Sequence, residues 1–219
     1  HLFFYCFRTG GFSDLLLLGW HMVLYMRLEW VGDGSRSASG TFAGCDRRGI
    51  VTAVCGILGV RRDGVDRGVA LQALRRLAWR GADDLRLIAC GDWWLGVARL
   101  VISDPASPQP IVDAETGCAI AFNGAVTDAR AQRAAWSARG ETLQGGNDAE
   151  LVLRRYLRDG PESLDRQTGG YALAMVDPRV DARFLAVDPL GEKPLRVAEE
   201  SGRLQAFASS PSALEELGF

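Results

Sequence analysis

Short segments of apolar or alternating residues constrain the fold of this chain more than any other feature. Each has the length of a strand, and turn residues separate one segment from the next. The six segments are CGILGV, WWLGVARLVI, CAIAFNG, YALAMVD, RFLAVD and LQAFASS. They cluster toward both ends of the region that begins at Ile50, with helical segments between them. The pattern therefore predicts an α+β fold with mainly antiparallel sheets.

Two longer segments carry apolar residues at helical spacing. In the first segment these residues are Val69, Ala70, Ala73, Leu74 and Leu77. In the second they are Ala149, Val152, Leu153, Tyr156 and Leu157. Apolar side chains that recur every three or four residues form one face of a helix. We therefore expect two amphipathic helices, each with one buried face, and Gly160-Pro161 is expected to end the second.

The first 53 residues differ in character from the rest. The run DLLLLGWHMVLYM holds about a dozen apolar residues, whereas a helix that crosses a bilayer needs about 20. The run GDGSRSASGTFAG has the composition of a flexible linker. We expect residues 1–53 to be a mistranslated upstream segment or a leader and linker, and residues 55–219 to form the folded domain.

Charge and cysteine content exclude several classes of function. The chain of 219 residues has a formal net charge of -2, whereas nucleic-acid binding needs a basic stripe. Its five cysteines show no C-x-x-C spacing, so neither a disulfide framework nor a zinc site is expected. They are Cys6, Cys45, Cys55, Cys90 and Cys118. We expect a cytoplasmic protein that binds no metal, nucleic acid or membrane.

The distribution of histidine limits the catalytic chemistry of the folded domain. Both histidines, His1 and His21, precede Cys55, so a nucleophile paired with histidine is excluded there. A cysteine can instead use its own α-amine as the base when it is the first residue, since that amine has a pKa of about 8. Cys55 is the candidate nucleophile. The alternative is that Cys55 is a small buried apolar residue.

Nine motifs occur between Cys55 and about Leu214. In chain order they are CGILGV, RGADD, ARLVISD, QP, FNGAVTD, NDAE, GGYALAMVD, DPLGEKPL and FASS. Their order and spacing resemble the glutamine amidotransferase domain of asparagine synthetases. The resemblance implies the fold of N-terminal nucleophile (Ntn) hydrolases, a four-layer αββα sandwich with two mainly antiparallel sheets.

The resemblance also implies roles for individual residues. Cys55 would attack the side-chain amide of L-glutamine and form a thioester. Asn123 and Gly124 would form the oxyanion hole, Arg99 would bind the α-carboxylate of glutamine, and Asp148 would bind its α-ammonium group. The remaining positions of the glutamine pocket would be Leu100, Val101, Ile102, Ser103 and Ala125.

Some of these residues also have structural interpretations. Asn123-Gly124 is a common turn pair between strands. Asp148, with an acidic residue two positions later, fits a helix start, where the helix dipole favours negative charge. Arg99 is harder to explain as a structural residue, because an arginine without a partner is costly in a strand that otherwise reads as core. Asp188, Gly191 and Lys193 are expected to have a structural role.

The sequence departs from the family pattern at several positions. Trp79 and Ala82 replace the histidine and proline of H-R-G-P-D, and Val187 replaces an arginine before Asp188. Ala125 replaces a glutamate that is expected to help hold the substrate's amino group. Two hypotheses follow: a working glutaminase, which the retained site residues favour, or a non-catalytic domain of a β-lactam-synthetase or lasso-peptide-cyclase relative.

The resemblance implies a partner for the ammonia that such a domain would release. Asparagine synthetases carry an S-G-G-x-D-S phosphate loop in a second domain, and this chain has no such run. We therefore expect a synthetase domain in cis or in trans, with ATP and Mg²⁺ bound only there and no cofactor in this domain. A homodimer is left open. The start of the mature chain is also open, between Val54 and Val51 or an earlier residue.

Overall fold

The computed structural model describes residues 3–8, 55–102 and 106–219. The strands in these ranges are β1 (Phe3–Arg8), β2 (Gly56–Arg61), β3 (Asp84–Cys90), β4 (Trp93–Arg99), β5 (Ile111–Val112), β6 (Ala119–Val126), β7 (Gly169–Asp177), β8 (Ala182–Val187), β9 (Arg196–Glu200) and β10 (Arg203–Ala208). The helices are α1 (Arg67–Arg75), α2 (Ala129–Ala138), α3 (Asp148–Asp159), α4 (Glu162–Asp165) and α5 (Pro211–Glu216).

The strands form two five-stranded sheets whose pairs are all antiparallel. Sheet A has the order β1-β8-β7-β6-β5, and sheet B has the order β3-β4-β2-β10-β9. Within the part of the chain that was expected to be upstream sequence or leader, β1 lies at the edge of sheet A, paired with β8. The apolar run and the linker of that part lie outside the described residues.

The layer between the sheets combines large side chains of sheet B with small ones of sheet A. Trp93 and Phe207 are buried and stack with their ring centroids 5.6 Å apart. A Cβ at Gly59 would lie 2.0 Å from the Phe207 ring, so only glycine fits there. The facing strands β6 and β7 contribute alanines such as Ala121 and Ala174. Large side chains against small ones fill the space between two sheets at interior density.

Helices cover the outer face of each sheet. Helices α1 and α5 pack on sheet B, and their buried side chains include Leu74 and Leu214. Helices α3 and α4 pack on sheet A through side chains such as Leu153 and Leu164, and α2 adds Trp136 to the same core. The four layers confirm the expected αββα sandwich and the two amphipathic helices. Gly160 caps the end of α3, also as expected.

One expected strand is shorter in the structure than in the prediction. The run WWLGVARLVI was expected to form a single strand, but β4 ends at Arg99. The reason lies in the loop before β3, where the Asp83 carboxylate accepts a hydrogen bond from the Val101 N–H at 2.8 Å. This N–H therefore leaves the strand ladder, and residues 100–102 turn away from the sheet. Across the described ranges, no helix is both long enough and apolar enough to span a bilayer.

Candidate active site

Contacts between the two sheets define which ends of their strands lie together. At one end, the Cys90 thiol lies 3.5 Å from the Gly117 carbonyl oxygen, and Arg183 of β8 forms an ion pair with Asp92. Cys90 ends β3, and Gly117 lies just before β6. Strand β2 starts next to Cys55 and runs toward the end of the sandwich that holds Cys90 and Gly117. Strand β6 starts at that end and runs in the opposite direction. The C-terminal half of β6 therefore lies at the same end of the sandwich as Cys55.

Cys55 lies directly before β2 and is half-buried. Its thiol is 3.8 Å from the Leu100 carbonyl oxygen, and Arg80 Nε donates a hydrogen bond to its carbonyl oxygen at 3.2 Å. Burial raises the pKa of the Cys55 thiol, although the charges of Arg99 and Arg80 act in the opposite direction. The thiol is therefore protonated at neutral pH and needs a base to become a nucleophile.

Arg99 is held at the end of β4 beside Cys55. Its side chain is 6% exposed, and its positive charge acts on the Cys55 thiol. The Asp83 N–H donates to the Arg99 carbonyl oxygen at 3.1 Å. Leu100, Val101 and Ile102 follow Arg99 past the nucleophile. Ser103, the last residue expected to line the pocket, lies outside the described residues.

Gly81 allows two backbone segments to approach each other beside Cys55. A Cβ at position 81 would lie 2.5 Å from both the Arg99 carbonyl carbon and the Leu100 nitrogen. Such a contact is far inside van der Waals distance with rigid backbone, so a side chain would displace the segment that carries Arg99. Glycine at this position therefore fixes where Arg99 lies relative to the nucleophile.

We expect a Gly81→Ala variant to lose about 1–3 kcal/mol of unfolding free energy, because an added methyl group has no room. Urea denaturation followed by tryptophan fluorescence measures this loss. Ala82→Ser is the matched control, since Ala82 is the next residue and is exposed. Equal unfolding midpoints for both variants would contradict the packing argument.

Asn123 lies inside strand β6, opposite Ala172 of β7. The alternative of a turn at Asn123-Gly124 is therefore wrong, because eight residues of β6 pair continuously with β7. The side chain is 1% exposed, and its Nδ2 finds no hydrogen-bond acceptor in the described part of the chain. A buried amide donor without an acceptor is costly, so this Nδ2 can donate to an acceptor that a ligand supplies.

Gly124 and Ala125 follow on the same strand and are both exposed. Gly124 has φ 144°, and a Cβ there would lie 2.1 Å from the Gly170 carbonyl oxygen. Only glycine fits this backbone conformation and this contact. The strand thus carries the buried Asn123 amide donor followed by the exposed backbone of Gly124. Donor groups arranged in this way can bind an anion.

Asp148 is the first residue of α3, so the helix-start interpretation is confirmed. Asn147 is the N-cap, and its side chain accepts a hydrogen bond from the Ala149 N–H at 2.9 Å. The Asp148 carboxylate also accepts a hydrogen bond from the Val126 N–H at 2.9 Å and forms an ion pair with Arg133 at 3.4 Å. Asp148 therefore lies at the end of β6, the strand that carries Asn123 and Gly124.

The structure adds positioning residues whose roles the sequence does not predict. Arg80, Gly81 and Asp83 all belong to the RGADD motif. Ser209, in the FASS motif, exchanges hydrogen bonds with Ile57 in both directions at 2.9 Å. These contacts hold the start of β2 and thereby Cys55. Motif membership was the only signal for them, because none has an apolar pattern.

Asp188 organises the loop that follows β8. It is 2% exposed, and its carboxylate accepts hydrogen bonds from the backbone N–H groups of Tyr171, Leu190, Glu192 and Lys193 at 3.0–3.2 Å. The structural role expected for this motif agrees with these contacts. The loop is fixed at the start of β7, on the Cys55 end of the sandwich.

Known proteins resemble this chain in sequence and in fold. A family profile described as "Glutamine amidotransferase domain" matches residues 54–218. The chain is 33% identical over 165 residues to asparagine synthetase B (glutamine-hydrolyzing) of Escherichia coli K12, a match that covers 74% of this chain and 29% of that protein. It is 29% identical over 168 residues to asparagine synthetase (glutamine-hydrolyzing) 3 of Arabidopsis thaliana, with the same coverage of 74% and 29%.

Solved structures share the fold. The glutamine phosphoribosylpyrophosphate amidotransferase from B. subtilis, complexed with ADP and GMP, aligns with a TM-score of 0.61 and 20% identity over 75% of this chain and 43% of that one. The chain spans about 29% of the length of these two curated relatives. The match to residues 54–218 covers most of the chain, and the chain therefore belongs to the glutamine amidotransferase domain family.

Proposed function

We propose that the domain hydrolyses L-glutamine to glutamate and ammonia through Cys55. The observation that carries the proposal is the buried Asn123 Nδ2, which has no acceptor among the described residues and lies at the same end of the sandwich as the half-buried Cys55. A nucleophile and an unpaired amide donor at one end of the sandwich are the two parts that acyl transfer needs. Membership of the glutamine amidotransferase family supports the same substrate.

The reaction uses the α-amine of Cys55 as the base. The amine takes the thiol proton, and sulfur forms a bond to the side-chain carbonyl carbon of glutamine. Asn123 Nδ2–H and the Gly124 N–H stabilise the negative oxygen of the tetrahedral intermediate. The C–N bond then breaks, and the protonated amine returns its proton to the nitrogen, which leaves as ammonia. Water breaks the thioester, which releases glutamate and restores the thiol.

Two charged side chains match the two charges of a free amino acid. Arg99 binds the α-carboxylate, and its guanidinium can form two parallel hydrogen bonds with it. Asp148 binds the α-ammonium group. The backbone of residues 100–102 lines the pocket in this proposal, with Ala125 at its mouth.

We expect an Arg99→Gln variant to raise KM for glutamine about 10- to 100-fold with a smaller change in kcat, because a charge-assisted hydrogen bond to the carboxylate is lost. Steady-state kinetics of ammonia release measures both constants. Arg86→Gln, an exposed arginine on β3, is the control. An unchanged KM would exclude Arg99 from carboxylate binding.

The ammonia acceptor belongs to a partner in this proposal. A synthetase domain, in cis or in trans, uses the ammonia for ATP-dependent amide formation and holds the ATP and Mg²⁺, while this domain works without a cofactor in the cytoplasm. The names of the relatives support this, since both are glutamine-hydrolyzing asparagine synthetases much longer than the matched region.

The second candidate is a non-catalytic domain that retains the shape of the family. The raised pKa of the Cys55 thiol favours it if residues before Cys55 stay attached, because the sulfur then has no amine to remove its proton. The two candidates differ in one chemical group, the α-amine of Cys55.

The test is the mature N-terminus together with product stoichiometry. Intact mass of protein made in its native host shows which residue is first, and an assay of the same sample measures ammonia and glutamate. We expect Cys55 as the first residue and the two products in equal amounts. A mature chain that retains Val51 and releases neither product would overturn the glutaminase proposal.

A further inference from the structure

The loop after β8 brings the carboxylate of Glu192 to the candidate site, and the proposed reaction gives this carboxylate no role. Asp188 fixes this loop, and one of the N–H groups that it binds, at 3.1 Å, belongs to Glu192. Glu192 is exposed, but its side chain lies back over the sheet. A Cβ at Gly170 would lie 2.4 Å from Glu192 Oε2. Glycine at position 170 is therefore what allows the carboxylate to occupy this place.

The register of sheet A places this carboxylate beside the candidate oxyanion hole. Gly170 is directly opposite Ala125 in the β6–β7 pair. Directly opposed residues of antiparallel strands project to the same face, with their Cβ positions about 5 Å apart. Glu192 therefore lies over the face of the sheet to which Ala125 projects. Asn123, two residues before Ala125, projects to that face as well.

That face is directed toward sheet B and the nucleophile. Ala119 and Ala121 project to it, and both belong to the buried layer between the two sheets. Cys55 packs against the same layer from the side of sheet B. The Glu192 carboxylate is thus at the mouth of the gap between the sheets, at the end where Cys55 and Arg99 lie.

Charged side chains of both signs lie at this end of the sandwich. Arg99 and Arg80 are positive and act on Cys55. The Asp148 carboxylate already accepts the Val126 N–H and pairs with Arg133. Glu192 makes no side-chain hydrogen bond within the described ranges, so its carboxylate oxygens are open to a ligand.

We propose that Glu192 is a specificity-determining residue that binds the α-ammonium group of glutamine. The inference rests on the proposed glutaminase function and deepens it: the α-carboxylate binds Arg99, and the ammonium group lies between Asp148 and Glu192. A substrate without the α-amino group would gain nothing from Glu192. Recognition by this loop therefore selects free amino acids over other primary amides.

The test compares glutamine with glutaramate, which is glutamine without its α-amino group. We expect Glu192→Gln to raise KM for glutamine about tenfold with kcat nearly unchanged, and to leave the constants for glutaramate unchanged. Glu200→Gln is the matched control, because this exposed glutamate lies at the far end of β9 and should change neither substrate. An equal effect on both substrates, or none on glutamine, overturns the inference.

A binding measurement separates this inference from the proposed function. Calorimetry of the Cys55→Ala protein measures glutamine affinity without turnover, and adding Glu192→Gln should weaken it about tenfold. Weakened binding supports the inference even if the unmodified protein hydrolyses nothing. Unchanged binding overturns it while glutaminase activity stands. If the Cys55→Ala protein binds no glutamine and the unmodified protein hydrolyses none, both proposals fail.

Discussion

A Cys55→Ala variant should lose glutamine hydrolysis by roughly 10⁴-fold or more, because no other group in the mechanism can form the thioester. Ammonia release from protein that begins at residue 55 measures the loss. Adding residues 51–54 in front of the unchanged cysteine should have a similar effect, since it blocks the amine but keeps the sulfur.

Two control measurements on the Cys55→Ala variant are its free energy of unfolding and its affinity for glutamine. Cys55 is only half-buried, and the one hydrogen bond of its thiol within the described ranges is long, 3.8 Å to the Leu100 carbonyl oxygen. Its loss should therefore change the free energy of unfolding by less than about 1 kcal/mol. Glutamine should still bind, because Arg99 and Asp148 remain. Residual hydrolysis above a hundredth of the original rate would exclude Cys55 as the nucleophile.

An Asn123→Ala variant should hydrolyse glutamine about 100- to 1000-fold more slowly, as expected when one oxyanion donor is removed. The same variant should be as stable as the unmodified protein or more stable, because the buried Nδ2 has no acceptor in the described part of the chain. Kinetics and urea denaturation of one sample give both values. A loss of stability without a loss of kcat would contradict the oxyanion assignment.

Gln109 provides a matched amide for this experiment. Its side chain is also buried, and its Oε1 accepts a hydrogen bond from the Phe122 N–H of the same strand at 2.9 Å. Gln109→Ala should cost about 1–3 kcal/mol of unfolding free energy, because a buried backbone donor loses its acceptor. Of two neighbouring buried amides, one would then stabilise the fold and the other would serve the reaction.

The strands and helices that the sequence predicted are those with a strong apolar pattern. Strands β6, β7 and β8 are buried on both faces, and α3 has a wide apolar face, so their residues carry the signal. Strand β9, RVAEE, lies at a sheet edge and has little apolar surface to bury. Helix α2 buries only Trp136. Elements that bury little leave a weak pattern in the sequence.

The sequence also predicted only some of the residues of the candidate site. Residue types with distinctive chemistry, such as Cys55, Asn123 and Arg99, could be found by matching motifs. Arg80 and Gly81 could not be given roles, because their importance depends on distances of 3.2 Å and 2.5 Å between segments separate in sequence. The role proposed for Glu192 likewise depends on its position over Gly170 and on the pairing of Gly170 with Ala125. Both are properties of the folded chain that the sequence does not show.

The order of strands in sheet B has a consequence for synthesis of the protein. Ile57, next to the nucleophile, exchanges hydrogen bonds with Ser209, which is 152 residues away. In sheet A, β6, β7 and β8 can pair in the order of their synthesis. In sheet B, β2 can pair with β4 early, but its other edge stays unpaired until β10 has left the ribosome. Contacts of such long range form slowly. The start of β2, which carries the reactive thiol, is therefore held on both edges only after the last strand of the domain has been made.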